Sequence, residues 1–144
     1  MDSQISVVEV TERPQMEQAW VIRRRVFIEE QHVPEELEMD EDDAQAFHAL
    51  ALDGNAPVGC GRMVAHDEFV KIGRMAVLRE RRGEGIGRTI LTFLMGCARQ
   101  HGFSRAVLHA QLTAEGFYLK NGYVPEGEVF DEAGIPHRRM CREL

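Results

Sequence analysis

The clearest chemical signal in the sequence is a run of glycines and arginines that leads into a helix-periodic apolar segment. Gly83, Gly85 and Gly87 carry no Cβ, so the backbone there can turn tightly and approach a ligand closely. A helix that begins just after such a loop directs free N–H groups and the positive end of its dipole into it, which favours phosphate oxygens. Four arginines add positive charge to the same stretch: Arg79, Arg81, Arg82 and Arg88. The stretch therefore predicts a binding site for a pyrophosphate.

Two familiar phosphate-binding loops do not match this stretch. A dinucleotide fingerprint requires glycine at the position of Arg88 and an acidic residue at the end of the next strand, which instead ends in Gln111. A nucleoside-triphosphate loop requires lysine between Gly87 and Thr89. A helix start that binds no ligand remains the alternative interpretation.

Residues 82–87 read Arg-Gly-Glu-Gly-Ile-Gly, and this hexapeptide resembles the Arg/Gln-x-x-Gly-x-Gly/Ala motif of the GNAT acyl-CoA N-acyltransferase superfamily. A later segment, residues 114–118 followed by Asn121-Gly122-Tyr123, resembles the Ala-x-x-x-Tyr…Gly-Phe/Tyr pattern of the same family. The resemblance is strongest over residues 70–124. It implies that the loop amides bind the pyrophosphate of coenzyme A and that the preceding strand pairs with the pantetheine arm.

The resemblance also implies which residues bind acetyl-CoA, the expected acyl donor, and it implies no metal. The cofactor-binding residues are Met75, Ala76 and Val77 on the strand, Arg82, Gly83, Glu84, Gly85, Ile86, Gly87, Arg88 and Thr89 in the loop and helix, and Gln111 and Tyr118 beyond them. Gln111 stands where the family commonly has asparagine. Tyr118 stands at the position of the acid that protonates the leaving thiolate, and a phenol is protonated at neutral pH. A core aromatic beside Phe117 is the alternative role for Tyr118.

The residue that removes a proton from the acceptor amine is less clearly indicated. Histidine changes its charge near neutral pH, which makes His48, His109 and His137 candidates. Glu29 or Glu30 would serve if partly buried. We favour His109, which alternates with apolar Leu108 at the end of a predicted strand, and place Glu29 second. A structural role for each residue, and a chain of water molecules as the base, remain open.

Composition limits the class of protein. The chain has 144 residues, 44% of them hydrophobic, which suits one domain over residues 1–144. A formal net charge of −7 argues against nucleic-acid binding. Three cysteines, few and odd in number, give no disulfide framework. The sequence shows neither a membrane span nor a secretory leader, so we expect a cytoplasmic protein without a membrane partner.

Charge is distributed unevenly along the chain. Residues 27–60 contain no lysine or arginine but hold ten acids, namely Glu29, Glu30, Glu35, Glu36, Glu38, Asp40, Glu41, Asp42, Asp43 and Asp53. This segment could receive a cationic acceptor, or it could be a solvated loop.

The predicted elements begin with a strand over residues 5–10 and an amphipathic helix from 14 to about 31. We expect Arg23, Arg24 and Arg25 to be mostly exposed, with one reaching an acid in the following loop. Residues 31–43 predict a loop or short helix over the mouth of the site. Residues 46–52 and 58–64 predict a hairpin.

The strand over residues 69–77 contains a defect in its alternation. Val70 and Ile72 have one parity and Met75 and Val77 the other, so both pairs face the core only if an extra residue intervenes at Gly73 and Arg74. Such a bulge would free backbone groups for a ligand, and the resemblance implies a splay from the next strand. An arginine that merely caps the edge of the core is the alternative.

The second half predicts a long helix from residue 86 to Gly102, a parallel strand over 106–110, a short helix capped by Thr113, and closing strands over 123–130 and 137–142. The predicted fold class is α/β (α+β), a GNAT-like fold. Its central mixed sheet is mostly antiparallel, with one parallel splayed strand pair, and is flanked by helices.

The predicted function is that of an acetyl-CoA-dependent N-acetyltransferase, in which a primary amine of a small molecule or peptide attacks the thioester directly. A non-catalytic acyl-CoA-binding module is the main alternative, and an unliganded partner-binding domain is a third. The resemblance also suggests a homodimer.

Overall fold

The structure is a computed structural model that describes residues 4–144. Within this range seven strands form one sheet, and their bounds are β1 Ile5–Glu9, β2 Phe47–Asp53, β3 Ala56–Ala65, β4 Phe69–Val77, β5 Arg105–Gln111, β6 Val124–Glu132 and β7 Ile135–Glu143. Their order across the sheet is β1-β2-β3-β4-β5-β7-β6. Only the β4–β5 pair is parallel among these strands, which confirms the predicted mixed, mostly antiparallel sheet.

The helices flank this sheet. Their bounds are α1 Arg13–Arg23, α2 Glu35–Glu38, α3 Ile86–Gln100 and α4 Glu115–Lys120, with a π-helical segment at Arg24–Glu30 and 3₁₀ turns at Glu41–Ala44, Arg79–Arg81 and Leu112–Ala114. Over residues 4–144 no helix has the length and apolar character needed to cross a membrane.

Two apolar layers hold the helices against the two faces of the sheet. α3 buries one stripe at helical spacing, formed by Ile86, Ile90, Leu91, Leu94, Met95 and Ala98, against the strands. On the opposite face Ala19 and Ile22 of α1 pack against Leu50 and Cys60. α1 packs over β2, β3 and β4 and makes no comparable contact with β5, β6 or β7 in the described chain, so it leaves that end of the sheet uncovered.

β4 contains the bulge that the alternation of its side chains predicts. Arg62 of β3 pairs with Gly73 and Cys60 pairs with Ala76, so two residues of β4 oppose Gly61. Arg74 lies in this bulge with a φ of 50°. The bulge changes the parity of the strand, and it therefore lets residues on both sides of it face the core.

β4 and β5 separate soon after they meet. Their parallel pairing runs from Phe69 opposite Arg105 to Ile72 opposite Leu108 and ends there. The remaining residues of both strands diverge, so the predicted splay is confirmed.

Three local predictions need correction. The helix expected over 14–31 is α-helical only to Arg23 and continues as a π-helix, in which the Gln31 N–H donates to the Val26 carbonyl (3.1 Å). Arg23 is buried rather than exposed, although it does reach acids of the following segment. Thr113 does not cap α4, because it lies inside a 3₁₀ turn that runs directly into the helix at Glu115.

Candidate functional site

A cleft of about 1050 Å³ opens where β4 and β5 diverge. Its walls come from the π-helical segment, the second half of β4, the glycine loop, the end of β5, α4 and the β6–β7 hairpin. This volume is at the upper end of the range for small-molecule and cofactor sites. The splay and the glycine loop therefore belong to one continuous site.

The edge of β4 beyond the bulge presents main-chain groups to the cleft. The Leu78 N–H donates to the Val58 carbonyl of β3 (3.0 Å), and N–H directions alternate along a strand, so the Ala76 groups also face β3. The main-chain N–H and C=O groups of Met75 and Val77 face the other side, where β5 is no longer paired with β4. The Arg82 Nε donates to the Val77 carbonyl (3.1 Å), which confirms this direction.

The glycine loop has the open, left-handed geometry that close approach of a ligand requires. Gly83 and Gly85 have φ of 83° and 84°, values that side-chain-bearing residues rarely adopt, and a Cβ built on either would meet no atom within 4 Å. α3 begins at the next residue, Ile86, so its first N–H groups face the loop. Gly87 packs instead under Phe117, where a Cβ would lie 3.4 Å from the ring.

Two of the loop arginines are already paired. Arg82 binds Glu30 of the π-helical segment through both terminal nitrogens (2.7 and 2.9 Å). The hydrogen bond from Arg82 lowers the pKa of Glu30, and this effect outweighs burial. Arg81 binds Asp53 and Glu84.

Arg88 differs from Arg81 and Arg82 in having no carboxylate partner among the described residues. It is exposed, lines the cleft in the first turn of α3, and makes no ion pair with any of residues 4–144. An unpaired guanidinium beside free helix N–H groups is well suited to bind a phosphate.

Gln111 connects the end of β5 to the opposite wall. Its Nε2 donates to the Gln31 Oε1 (2.8 Å), at the end of the π-helical segment. The side-chain amide that the family resemblance implies for the cofactor is thus held next to the channel between β4 and β5.

Tyr118 lies in the cleft wall with 8% of its surface exposed. Its ring packs edge-on against Phe117 and Tyr123. Burial raises the pKa of Tyr118 to about 12, so the phenol is protonated at neutral pH. Within residues 4–144 the hydroxyl has no hydrogen-bond partner. Both roles expected from the sequence, core aromatic and proton donor, are compatible with this position.

His109 faces the same cleft from β5 and is held by an acid that the sequence did not indicate. Its Nδ1 lies 2.9 Å from the Oε1 of Glu132, and its ring packs edge-on against Phe130. His137 also lines the cleft, with its Nε2 3.7 Å from the Oε2 of Glu132.

The other candidate bases lie elsewhere. Glu29 is exposed and borders a separate, smaller depression of about 260 Å³ with Arg25 and Glu80. His48 does not line the cleft, and its Nε2 hydrogen-bonds the Asp43 carbonyl (2.9 Å). Burial lowers the pKa of His48. The structure therefore brings His109, and neither of these two, to the site.

From the sequence we expected the acidic segment either to receive a cationic acceptor or to be solvated. Three of its acids, Glu38, Asp40 and Asp43, are instead paired with arginines of the same chain. Arg23 binds Glu38 (2.8 Å) and Asp43 (2.8 Å) in the protein interior. Arg62 of β3 binds Asp40 and Asp43, each at 2.7 Å. These carboxylates are neutralised within the chain.

Arg74 completes this cluster from the bulge of β4. It donates to the Glu38 carbonyl (3.1 Å) and to the Asp40 Oδ2 (3.1 Å). The bulge residue thereby fixes the acidic segment against the rim of the cleft. Arg74 is a structural partner of that segment, and the interpretation as a simple cap of the core edge understates its role.

Most of the predicted cofactor-binding residues line the cleft, namely Met75, Ala76, Val77, Arg82, Gly83, Gly85, Ile86, Gly87, Arg88, Gln111 and Tyr118. Glu84 and Thr89 do not. Glu84 binds Arg81, and the Thr89 hydroxyl donates to the Gly85 carbonyl (2.9 Å), so both stabilise the loop itself.

Known proteins resemble this chain in sequence and in fold. A sequence model of the acetyltransferase (GNAT) domain matches residues 8–144. The uncharacterised N-acetyltransferase YjcF of Bacillus subtilis (strain 168) is 39% identical over 130 residues, which are 90% of this chain and 93% of that protein. The crystal structure of Escherichia coli ElaA superposes with a TM-score of 0.85 at 29% identity, and it covers 97% of this chain and 100% of that one.

A more distant structure shares the fold. It is a GNAT family acetyltransferase from Elizabethkingia anophelis with acetyl-CoA bound, with a TM-score of 0.74, 18% identity, and coverage of 99% of this chain and 100% of that one. The family match spans nearly the whole chain and agrees with the splayed strands and the glycine loop. The chain belongs to the GNAT family and is an N-acetyltransferase.

Proposed function

We propose that this enzyme transfers an acetyl group from acetyl-CoA to a primary amine of a small molecule or peptide by direct attack on the thioester. The observation that carries the proposal is the continuity of the cleft, in which the free edge of β4 leads into the open corner at Gly83 and Gly85. The Elizabethkingia anophelis enzyme of the same fold, which has acetyl-CoA bound, supports this choice of donor.

The residues of the cleft fit such a donor. The loop amides at Gly83, Gly85 and Gly87, with the unpaired guanidinium of Arg88, would bind the diphosphate. The main-chain groups of Met75 and Val77 would hydrogen-bond the amides of the pantetheine arm, as a paired strand would. The remaining residues predicted to bind the cofactor would act through their main-chain groups or by stabilising the loop.

Chemistry at the far end of the cleft requires three groups from the chain. The bound thioester supplies an acetyl carbonyl carbon, to which the amine nitrogen bonds as the carbon–sulfur bond breaks. A strand N–H directed into the cleft, at Met75 or Val77, would stabilise the negative charge that develops on the carbonyl oxygen. Tyr118 would donate its proton to the departing sulfur, and His109 would accept a proton from the ammonium form of the acceptor.

The proton balance follows from these roles. A protonated amine loses two protons when it becomes an amide. His109 accepts one and releases it to solvent, while the other returns through water to the Tyr118 oxygen, which has given its own proton to sulfur. Neither residue changes its state over a complete turnover.

The acceptor is best described as a small molecule or peptide with a primary amine. The paired state of Glu38, Asp40 and Asp43 removes the main support for a strongly cationic acceptor. A screen of amines for thiol release from acetyl-CoA tests the function directly. Tight acetyl-CoA binding without turnover on any amine would contradict it and favour the acyl-CoA-binding alternative.

Tyr118→Phe tests the proposed acid. We expect turnover to fall by roughly 10²- to 10⁴-fold, the usual contribution of general acid catalysis, with acetyl-CoA affinity changed by less than about twofold. Because the hydroxyl has no partner within residues 4–144, its removal leaves the packing of the ring intact.

Tyr123→Phe is the matched control for this change. Tyr123 is 1% exposed, its hydroxyl also lacks a partner in the described structure, and it does not line the cleft. The control should keep the parent turnover. Equal turnover in Tyr118→Phe and the parent would remove Tyr118 from the mechanism.

A further inference from the structure

The end of the cleft contains a carboxylate between two histidines. The Glu132 Oε1 lies 2.9 Å from the His109 Nδ1, and the Oε2 lies 3.7 Å from the His137 Nε2. We propose that Glu132 is a positioning residue that keeps His109 protonated on Nδ1, with the Nε2 lone pair available to the acceptor amine. This inference rests on the proposed function, since it assigns a partner to the proposed base.

The hairpin between β6 and β7 brings Glu132 to this place. Ala133 and Gly134 form its two-residue turn with φ of 54° and 78°, the values of a tight hairpin turn that matches the twist of the strands. Glu132 pairs with Ile135 as the last residue of β6. A short turn fixes the register, so the carboxylate is held at the rim of the cleft.

The direction of the proton in the Glu132–His109 contact follows from the chemistry of the partners. An ionised carboxylate can only accept hydrogen bonds, so the His109 Nδ1 must carry the hydrogen. In a neutral imidazole the other nitrogen then has the free lone pair. This tautomer is the one that a general base directed into the cleft requires.

Glu132 is ionised at neutral pH. Burial raises the pKa of Glu132, but the hydrogen bond from His109 and the nearby charge of Lys71 act in the opposite direction, and the net pKa lies below the ordinary value. The carboxylate would therefore balance the charge of the imidazolium formed when Nε2 accepts a proton.

The other charged groups near His109 do not provide a second carboxylate partner for it in the described structure. Lys71 lines the cleft from β4 and makes no ion pair with the described residues. Arg139 of β7 lies opposite His109 in the register, but its Nε binds Glu126 (3.2 Å) and its guanidinium lies over the Phe69 ring. The His137 Nδ1 donates to the Ile135 carbonyl (2.6 Å). Glu132 is thus the carboxylate in contact with His109 in the described structure.

The pH–rate profile of Glu132→Gln tests the inference. We expect kcat/KM to fall by roughly 10- to 100-fold, as for carboxylates that orient metal-bound histidines, with little change in KM for acetyl-CoA. The acidic limb of the profile should move to lower pH, because the imidazolium loses its counter-charge. Glu128→Gln, on the same strand but exposed and outside the cleft, should retain the parent profile.

A second measurement does not require turnover. In ¹⁵N NMR spectra of the imidazole rings, with His109→Gln to assign the signals, the parent should show His109 protonated on Nδ1, and Glu132→Gln should alter this tautomer. A parent in which His109 is protonated on Nε2, or a Glu132→Gln profile that superposes on the parent, would overturn the inference. A parent inactive with every amine overturns the proposed function instead, and the ring spectra then decide whether Glu132 holds His109.

Discussion

The chain places arginines in two neighbouring regions that differ in what surrounds each guanidinium. In the buried cluster, formed by Arg23, Glu38, Asp40, Asp43, Arg62 and Arg74, every arginine has a carboxylate partner. The side chains of Arg23 and Glu38 are each 2% exposed. In the glycine loop the Arg82 side chain is 41% exposed, and Arg88 has no ion pair within residues 4–144.

Burial explains the difference. A charge removed from water must be paired and hydrogen-bonded, and removing one partner of a buried pair is strongly destabilising. A charge at an exposed helix N-terminus is already solvated, so it can remain unpaired until an anion binds. The comparison therefore predicts that changes in the buried cluster affect stability, and that changes in the loop affect the ligand binding proposed for it.

The largest expected effect is on stability at the buried cluster. Arg23→Leu leaves Glu38 and Asp43 without their main partner, and we expect the free energy of unfolding to fall by about 3–5 kcal/mol. Arg24→Leu, one residue later, removes an exposed pair with Glu35 and should cost less than about 1 kcal/mol. Urea denaturation of both variants measures the difference. Equal losses would contradict the division between buried and exposed arginines.

A smaller effect is expected on ligand affinity at the loop. Arg88→Gln removes the unpaired charge beside the first turn of α3, so coenzyme A should bind roughly tenfold more weakly, which is about 1.4 kcal/mol, with unchanged stability. Arg99→Gln removes an exposed arginine from the last turn of the same helix and should keep the parent affinity. Titration calorimetry with coenzyme A gives both values. A loss of affinity shared by the two variants would indicate a general effect of net charge.

The smallest effect is the pH dependence of the buried cluster. The hydrogen bond from Arg62 lowers the pKa of Asp40, and this effect outweighs burial. A carboxyl whose pKa is lower in the folded chain stabilises it above the unfolded pKa of about 3.9, and this contribution is lost as the pH falls through the folded value. At pH 7 the free energy of unfolding of the parent should therefore exceed that of Asp40→Asn by about 1 kcal/mol or less. This difference should disappear below about pH 4.

Unfolding free energies of the two proteins between pH 7 and pH 3 measure this gap. Asp42→Asn is the control, since Asp42 is exposed and has no ion pair in the described range. A constant gap for Asp40→Asn across the pH range would show that its ion pairs do not contribute to stability.

The local sequence pattern was sufficient to predict most of the fold and the open geometry of the glycine corner. The change of parity between Ile72 and Met75 predicts the bulge, because a strand has period two and both residues must reach the core. The spacing of Ile86, Ile90 and Leu94 predicts α3 for the corresponding reason. These features depend on residues close together in the sequence, so no knowledge of distant contacts was needed.

Pairing between distant residues was not predictable in this way. Arg82 and Glu30 are 52 positions apart, and Arg62 and Asp40 are 22 apart. The acidic segment appeared as ten unpaired charges because its arginine partners lie on a helix before it and on strands after it. The π-helical turn that directs Glu30 to the loop also has no periodic signal in the sequence.

By itself, the sequence determined the strand, the glycine corner and the helix that follows, because steric alternation and helical spacing are local properties of the chain. Only the tertiary structure decided which charges are neutralised and which side chain holds His109. β7 inserts between β5 and β6 in the sheet, and the turn at its start places Glu132 beside a histidine 23 residues away. Such a contact arises from the packing of the whole sheet, which no single segment encodes.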